Sequence, residues 1–260
     1  MKRFLLVCMM VMVAQNAQAR LVTKTVEYRQ GDTVLEGYLA YDDSVKGARP
    51  GVLVIHEWTG LTDYEKRRTE QLAALGYLAF AADIYGKGVR PATAQLAAKE
   101  AGKFRGANRT LLRARAAAGL DKLASFEEVD PSRLAVIGYC FGGTAALELA
   151  RSGAKQLGTV SFHGGLDTPV PADALKIRGK VLALHGADDP HVPAEQVAAF
   201  QQEMRLAKVD WQMISYGGAV HSFTNPKSGN DPAKGIAYNE KADRRSWEAM
   251  QQFFTEIFGK

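Results

Sequence analysis

The segment LAVIGYCFGG, residues 134–143, decides how this 260-residue chain folds. Its first six residues form an apolar run typical of a buried strand, and residues 142–152 have helical spacing that ends at Gly153. The turn between strand and helix is so tight that side chains two residues before and after Cys140 would collide, and Gly138 and Gly142 remove them. The segment therefore predicts a strand, a sharp turn and a helix, with Cys140 at the turn.

Outward from this segment, strand patterns and helix patterns alternate along the chain. Residues 24–29 and 33–41 alternate like an antiparallel pair, and apolar strand-like runs follow at 51–56, 77–84, 134–139, 157–162, 180–184 and 210–216. Helical spacing covers 62–75, 93–103, 108–124, 142–152, 194–206 and a long C-terminal segment. This order predicts an α/β fold with a mostly parallel central sheet, helices on both faces and no large lid domain.

The first nineteen residues have the three-part pattern of a secretion signal. Lys2 and Arg3 precede the apolar run 4–14, and Ala17-Gln18-Ala19 has the small-x-small pattern of signal-peptidase cleavage. The apolar run is short for a membrane span, with an N-terminal anchor as the alternative. We expect a signal peptide over 1–19, one domain over 20–260, and a secreted or periplasmic protein.

The charge of the chain does not indicate a nucleic-acid partner. The formal charge is +5, and removal of Lys2 and Arg3 leaves 31 basic against 28 acidic residues, which is near balance. The densest basic group, between Arg105 and Arg115, lies in an amphipathic helical pattern that a solvated face explains. We expect a small-molecule substrate, no nucleic acid, no membrane contact after signal removal, and a monomer or small homo-oligomer.

Cys140 is the candidate nucleophile. Removal of the signal would take Cys8 with it, so that Cys140 is left as a lone thiol that cannot form an internal disulfide. Residues 138–142 match the G-x-S-x-G nucleophile elbow with cysteine in place of serine. A strand and a helix fall where the motif needs them, which favours an α/β-hydrolase fold and a reactive thiol over a buried structural cysteine.

The expected base is a histidine that follows Cys140, because the chain order in that fold is nucleophile, acid, histidine. His221 lies in a glycine-bearing loop just before the C-terminal helix, and His191 is the second choice. His163 and His185 end strands and are expected to be structural or to line the pocket.

The loop after residues 180–184 offers two adjacent acids, Asp188 and Asp189. Asp189 lies three residues after Gly186 and three before Val192, the spacing of the G-x-x-D-x-x-V-P pattern. It would orient the histidine and stabilise its imidazolium. Asp188 stays the alternative, with a role as a loop or cap residue.

An acyl intermediate also needs donors for its oxyanion, and we expect the backbone N–H groups of Phe141 and Trp58. Glu57 is either a partner of the thiol or an exposed loop carboxylate. His56-Glu57 begins like H-E-x-x-H, but Gly60 stands at the second histidine position. The chain has neither G-x-G-x-x-G nor a P-loop lysine motif, so we expect no metal and no cofactor.

Five segments together resemble the dienelactone hydrolase family, small cysteine hydrolases of the α/β-hydrolase fold. The segments are His56-Glu57-Trp58-Thr59-Gly60, Asp83-Ile84-Tyr85, Gly138 to Gly143, Asp189 to Pro193, and Gly218 to Phe223. The resemblance covers nearly the whole chain after residue 19. It implies a triad of Cys140, His221 and Asp189, with Glu57 as the partner that holds or activates the thiol.

The chain departs from the family where substrate is bound. The family's lactone hydrolases have an arginine shortly after D-L-Y, whereas this chain has Lys87, and no arginine follows Phe223 closely. We expect Trp58, Tyr85 and Lys87 to contact substrate.

The sequence predicts acyl transfer to Cys140 from a small ester, lactone or thioester. One alternative is a secreted protein that binds a small ligand on a hydrolase scaffold with little turnover. Another is a redox role for the thiol, which lacks a resolving cysteine in the same chain.

Overall fold

A computed structural model describes residues 20–106 and 109–259, and the expected signal peptide over 1–19 lies outside the described residues. The strands are β1 (Leu21–Gln30), β2 (Thr33–Asp42), β3 (Arg49–Ile55), β4 (Leu78–Ala82), β5 (Val129–Tyr139), β6 (Gly158–Phe162), β7 (Lys180–Gly186) and β8 (Trp211–Tyr216). The helices are α1 (Asp63–Ala74), α2 (Ala94–Gly102), α3 (Thr110–Ala124), α4 (Phe141–Arg151), α5 (Ala194–Leu206) and α6 (Glu240–Phe258).

The eight strands form one sheet in the order β1-β2-β4-β3-β5-β6-β7-β8. β1 and β2 pair antiparallel, β2 meets β4 antiparallel, and all other neighbours are parallel. The predicted antiparallel opening and mostly parallel sheet are confirmed. β5 begins five residues earlier than its apolar pattern, at Val129, and its register with β3 breaks between Pro50 and Gly51.

Alternate side chains of the central strands pack against helices on opposite faces. In β3, Leu53 and Ile55 join a core cluster with α3 and α4, whereas Val52 and Val54 join a cluster with α1 and α6. Every residue of β3 is buried, as expected for a strand covered on both sides. A third cluster packs α5 against β7 and α4.

The parallel strands bring their carboxyl ends to one edge of the sheet. The turns and loops that follow β3, β5, β7 and β8 carry Glu57, Cys140, Asp189 and His221 respectively. Ligand sites of open α/β sheets lie at this edge. No large lid domain covers it in the described parts of the chain, and no helix found there is long and apolar enough to cross a membrane.

Candidate active site

Cys140 sits at the sharp turn between β5 and α4, as the sequence predicts. Its φ of 53° and ψ of −114° are unusual for a residue with a side chain. A Cβ at Gly138 would lie 1.9 Å from the carbonyl oxygen of Gly142, and one at Gly142 would lie 2.2 Å from that of Ile55. The two glycines are therefore required by direct contact with backbone, which is the steric reason the motif predicts.

Three side chains from three loops meet at this edge. His221 Nε2 lies 3.0 Å from Cys140 Sγ, and His221 Nδ1 lies 2.8 Å from Asp189 Oδ2. The Asp189 side chain is fully buried, and its other oxygen accepts the backbone N–H of His191 at 2.8 Å. Asp188 instead accepts the N–H of Gly218 at the surface. The geometry thus selects Asp189 over Asp188 as the partner of His221.

The surroundings of His221 favour its protonated form. Burial opposes a charge on the ring, but the adjacent Cys140 and the hydrogen bond to Asp189 outweigh it and raise the pKa of His221 to about 10. The protonated ring donates one N–H to Asp189 and the other to the sulfur. This arrangement can deliver a proton to a leaving group on the side of the sulfur.

The two backbone N–H groups expected to bind an oxyanion are free to do so. Phe141 is the first residue of α4, where no intrahelical acceptor exists, and Trp58 lies in the loop after β3. Within residues 20–106 and 109–259, neither amide has a hydrogen-bond acceptor in the protein. Both residues line the same cavity as Cys140.

Glu57 is buried rather than exposed. Its carboxylate accepts hydrogen bonds from Ser222 Oγ at 2.8 Å and from Asn225 Nδ2 at 2.6 Å. Burial raises its pKa to about 7 with help from the nearby charge of Glu65, while the two hydrogen bonds and His221 oppose the rise. The described hydrogen bonds include none between Glu57 and the thiol. The predicted role of Glu57 as thiol partner stays a prediction.

A cavity of about 830 Å³ opens in front of Cys140 and His221. It has room for a small ester or lactone. Its walls include the two expected oxyanion residues and Glu57. The further polar residues at its walls are Thr59, Thr62, Tyr64, Arg105, Arg109, Thr144, Asp167, His191, Gln196, Ser222, Asn225, Lys227 and Ser228.

The structure corrects two of the three expected substrate contacts. Trp58 lines the cavity, but Lys87 does not, because it forms ion pairs with Glu27 and Glu36 beside the opening strands. Tyr85 lies behind the wall, where its hydroxyl donates to the carbonyl of Trp58 at 2.8 Å. Tyr85 therefore supports the main chain of Trp58 and is not part of the cavity wall.

The sequence did not predict several residues of the site. Ser222 and Asn225 follow His221 by one and four residues, so the polar composition of this loop was the available signal. Arg105 and Lys227 place basic groups at the cavity that the family motifs do not contain.

Comparison with known proteins assigns the chain to a family. The family model described as "Dienelactone hydrolase family" matches residues 35–258. The chain belongs to the dienelactone hydrolase family. The predicted resemblance is confirmed, and with it a hydrolase of the α/β-hydrolase fold.

Solved structures of dienelactone hydrolase type overlay nearly the whole chain. The protein named m3DLH is 43% identical, with 91% of this chain and 98% of that chain covered and a TM-score of 0.88. A dienelactone hydrolase-like promiscuous phosphotriesterase from metagenomic libraries is 42% identical, with 92% and 99% covered and a TM-score of 0.86. A Salmonella typhimurium protein named "Putative carboxymethylenebutenolidase" is 28% identical over 89% of this chain and 86% of its own length.

Proposed function

We propose that this dienelactone hydrolase family member is a cysteine-dependent hydrolase of small esters, lactones or thioesters. The observation that carries the proposal is the line of contacts from Cys140 Sγ through His221 to Asp189, at 3.0 and 2.8 Å, at the wall of an open cavity. Such an array is the usual means of activating a thiol for attack on a carbonyl.

The reaction begins when Cys140 Sγ attacks the carbonyl carbon and a sulfur–carbon bond forms. The carbonyl oxygen takes the negative charge and accepts hydrogen bonds from the N–H groups of Phe141 and Trp58. The bond to the leaving oxygen, or to the leaving sulfur of a thioester, then breaks, and protonated His221 gives that atom its proton. The acyl group is left on the sulfur as a thioester.

Water completes the cycle. His221, now neutral, removes a proton from a water molecule as the water oxygen attacks the thioester carbon. Collapse of this second tetrahedral intermediate breaks the sulfur–carbon bond, releases the acid and returns the thiolate beside protonated His221. Asp189 holds the ring in one orientation through both steps.

Two further assignments rest on observations outside the geometry of the site. The pattern of residues 1–19 supports work outside the cytoplasm, in the periplasm or the medium. The name of the 42% identical phosphotriesterase supports a phosphotriester as an additional probe, since the same thiolate can attack phosphorus.

The deciding experiment is hydrolysis of short-chain p-nitrophenyl esters and of a small lactone by wild type and Cys140→Ala. We expect Cys140→Ala to lower kcat by about 10⁴-fold, because no other group can form the acyl intermediate. Ser125→Ala is the control, since it changes an exposed residue that does not line the cavity and should keep full activity.

Iodoacetamide gives a second, independent readout. It should abolish turnover by the mature wild type and by Ser125→Ala in step with alkylation at one site. Turnover that survives in Cys140→Ala would contradict the proposal. A single burst of one p-nitrophenol per protein, with no turnover, would favour the alternative of a ligand-binding protein.

A further inference from the structure

His163 connects the turn that carries the thiol with the loop that carries the base. The ring is fully buried at the end of β6, and its Nδ1 accepts the backbone N–H of Cys140 at 3.1 Å. On the opposite side of the ring, Nε2 lies 2.7 Å from Oγ1 of Thr224, three residues after His221. One rigid ring therefore spans the two segments whose separation sets the distance between Cys140 and His221.

These contacts determine where the proton of His163 lies. A backbone N–H can only donate, so Nδ1 must be unprotonated, and Nε2 carries the proton that it donates to Thr224. Burial holds the pKa of His163 well below its ordinary value, and the positive charges of His221 and Arg68 lower it further. The ring stays neutral beside a charged His221 and so keeps its acceptor nitrogen.

The main chain at both ends of the first contact is strained. Cys140 has a φ of 53° and His163 a φ of 41°, a region that residues with side chains rarely adopt. Such conformations persist where surrounding contacts hold them. The amide N–H of Cys140 has two such contacts, the His163 ring and the carbonyl oxygen of Phe162 at 3.0 Å.

The far side of the ring is anchored as firmly. Thr224 is fully buried, its Oγ1 lies 2.5 Å from the hydroxyl of Tyr64, and its carbonyl accepts Arg68 Nη2 at 2.8 Å. Arg68 is ion-paired with Asp243 of α6. The loop that carries His221 is thus tied to α1 and α6, and the His163 ring bridges from that anchored loop to the thiol.

We propose that His163 is a positioning residue that holds the Cys140 main chain and the His221 loop at the spacing the sulfur–imidazole contact needs. The inference rests on the proposed function, since it concerns the same triad. His163 is not among the residues that line the cavity, so it does not touch substrate. Its loss should therefore lower kcat and leave KM unchanged.

The first test compares His163→Phe with His163→Asn. Phenylalanine keeps the ring packing against Phe223, at 5.1 Å between centroids, but removes both hydrogen bonds. We expect kcat to fall by about 100-fold, the scale of a small misplacement of reacting groups. Asparagine keeps an acceptor near the position of Nδ1, so His163→Asn should recover part of this loss.

The second test changes Thr224, the residue that His163 contacts through Nε2. Thr224→Val removes the hydroxyl while keeping the shape, and Thr224→Ser keeps the hydroxyl. We expect Thr224→Val to lower kcat by about tenfold and Thr224→Ser to stay near wild type. This pair also decides the matter if His163→Phe does not fold.

Leu120→Ala, in the core contacts of α3, is the control for a loss of stability alone. It should lower the melting temperature and leave kcat near wild type. The proposal is overturned if His163→Phe keeps kcat within twofold of Leu120→Ala, if its loss appears in KM, or if Thr224→Val and Thr224→Ser behave alike.

Alkylation separates failure of this inference from failure of the proposed function. If Cys140→Ala retains turnover, the proposed function is refuted, and the rate of Cys140 alkylation by iodoacetamide still tests the bridge. A bridging ring predicts that His163→Phe changes this rate and that His163→Asn brings it back toward wild type. Equal alkylation rates in wild type and His163→Phe would refute the bridge whatever the reaction is.

Discussion

At the scale of single residues, Glu57 shows how the fold changes the chemistry of a loop carboxylate. The side chain is buried beside the thiol-bearing cavity and accepts hydrogen bonds from Ser222 and Asn225. Its own backbone N–H donates to a second acid, Glu65, at 3.0 Å. Burial and this neighbouring charge raise its pKa from 4.5 to about 7, so that its charge changes near neutral pH.

The pKa of Glu57 predicts how stability depends on pH. The folded protein binds this proton more tightly than the unfolded chain, so the free energy of unfolding should fall as pH rises from about 4.5 to 7 and then level off. A shift of this size corresponds to about 3 kcal/mol. Glu57→Gln should remove that fall, and urea unfolding of wild type and variant between pH 4.5 and 8 measures it.

Glu195→Gln is the control for Glu57→Gln, because it changes an exposed carboxylate of α5. Its stability profile should run parallel to that of wild type. If the Glu57→Gln profile is also parallel to wild type, Glu57 does not titrate in this range.

At the scale of elements, the contact between the elbow and the end of β3 sets the shape of the site. Gly142, in the first turn of α4, packs against the carbonyl of Ile55 so closely that no side chain fits. The loop after β3 is held by Glu65 of α1. The Glu65 carboxylate accepts the backbone N–H of Thr62, the residue that caps α1, and also the backbone N–H of Glu57. These contacts bring Trp58 and Phe141, whose N–H groups are the expected oxyanion donors, to the wall of one cavity.

Gly142→Ala should therefore destabilise the protein strongly. The new Cβ would lie 2.2 Å from a backbone oxygen, and backbone cannot move aside as a flexible side chain can. We expect a loss of about 3 kcal/mol or more in the free energy of unfolding, measured in urea. Gly217→Ala is the matched control, since a Cβ there meets nothing within 4 Å and should cost less than about 0.5 kcal/mol. A mild effect of Gly142→Ala would mean that the elbow is looser than described.

At the scale of the whole molecule, buried charges join helices on one side of the sheet. Arg151 of α4 is fully buried, and it donates twice to Glu203 of α5, at 2.8 Å each, and once to Glu148 at 3.1 Å. Glu148 also pairs with Arg109 and Arg113 near the cavity. The network connects the wall of the cavity with α5, whose preceding loop carries Asp189, the acid of the proposed triad.

Replacing one partner of the Arg151–Glu203 pair should lower the free energy of unfolding more than replacing both partners. Arg151→Met leaves the buried Glu203 without its partner, and we expect a loss of about 3–5 kcal/mol. The double variant Arg151→Met with Glu203→Leu should recover most of it. Arg244→Met, which breaks an exposed pair with Glu248, is the control and should cost less than about 1 kcal/mol. Urea unfolding checks all three, and equal losses in the single and double variants would contradict this account.

The sequence predicted much of the fold, and it named Cys140, His221 and Asp189, which the structure brings together, because these predictions depend on local patterns. Apolar runs and helical spacing depend on neighbours along the chain, and so does the steric need for glycine around Cys140. The contacts of Lys87, by contrast, were predicted wrongly, because its partner Glu27 lies sixty residues away. The hydrogen bonds of Glu57 to Ser222 and Asn225 join residues more than 160 positions apart, and no local sequence pattern predicts them.

The sequence by itself determined the order of strands and helices, the turn at Cys140, and candidates for the base and the acid. The tertiary structure placed Asp189, the acid that the loop spacing favoured, against His221. It alone shows that Glu57 is buried, that Lys87 lies away from the cavity and that His163 lies between the thiol and the base loop. The physical reason is that backbone sterics and periodicity act over a few residues. Burial, hydrogen-bond pairing and pKa shifts depend on which distant segments the packed chain brings together.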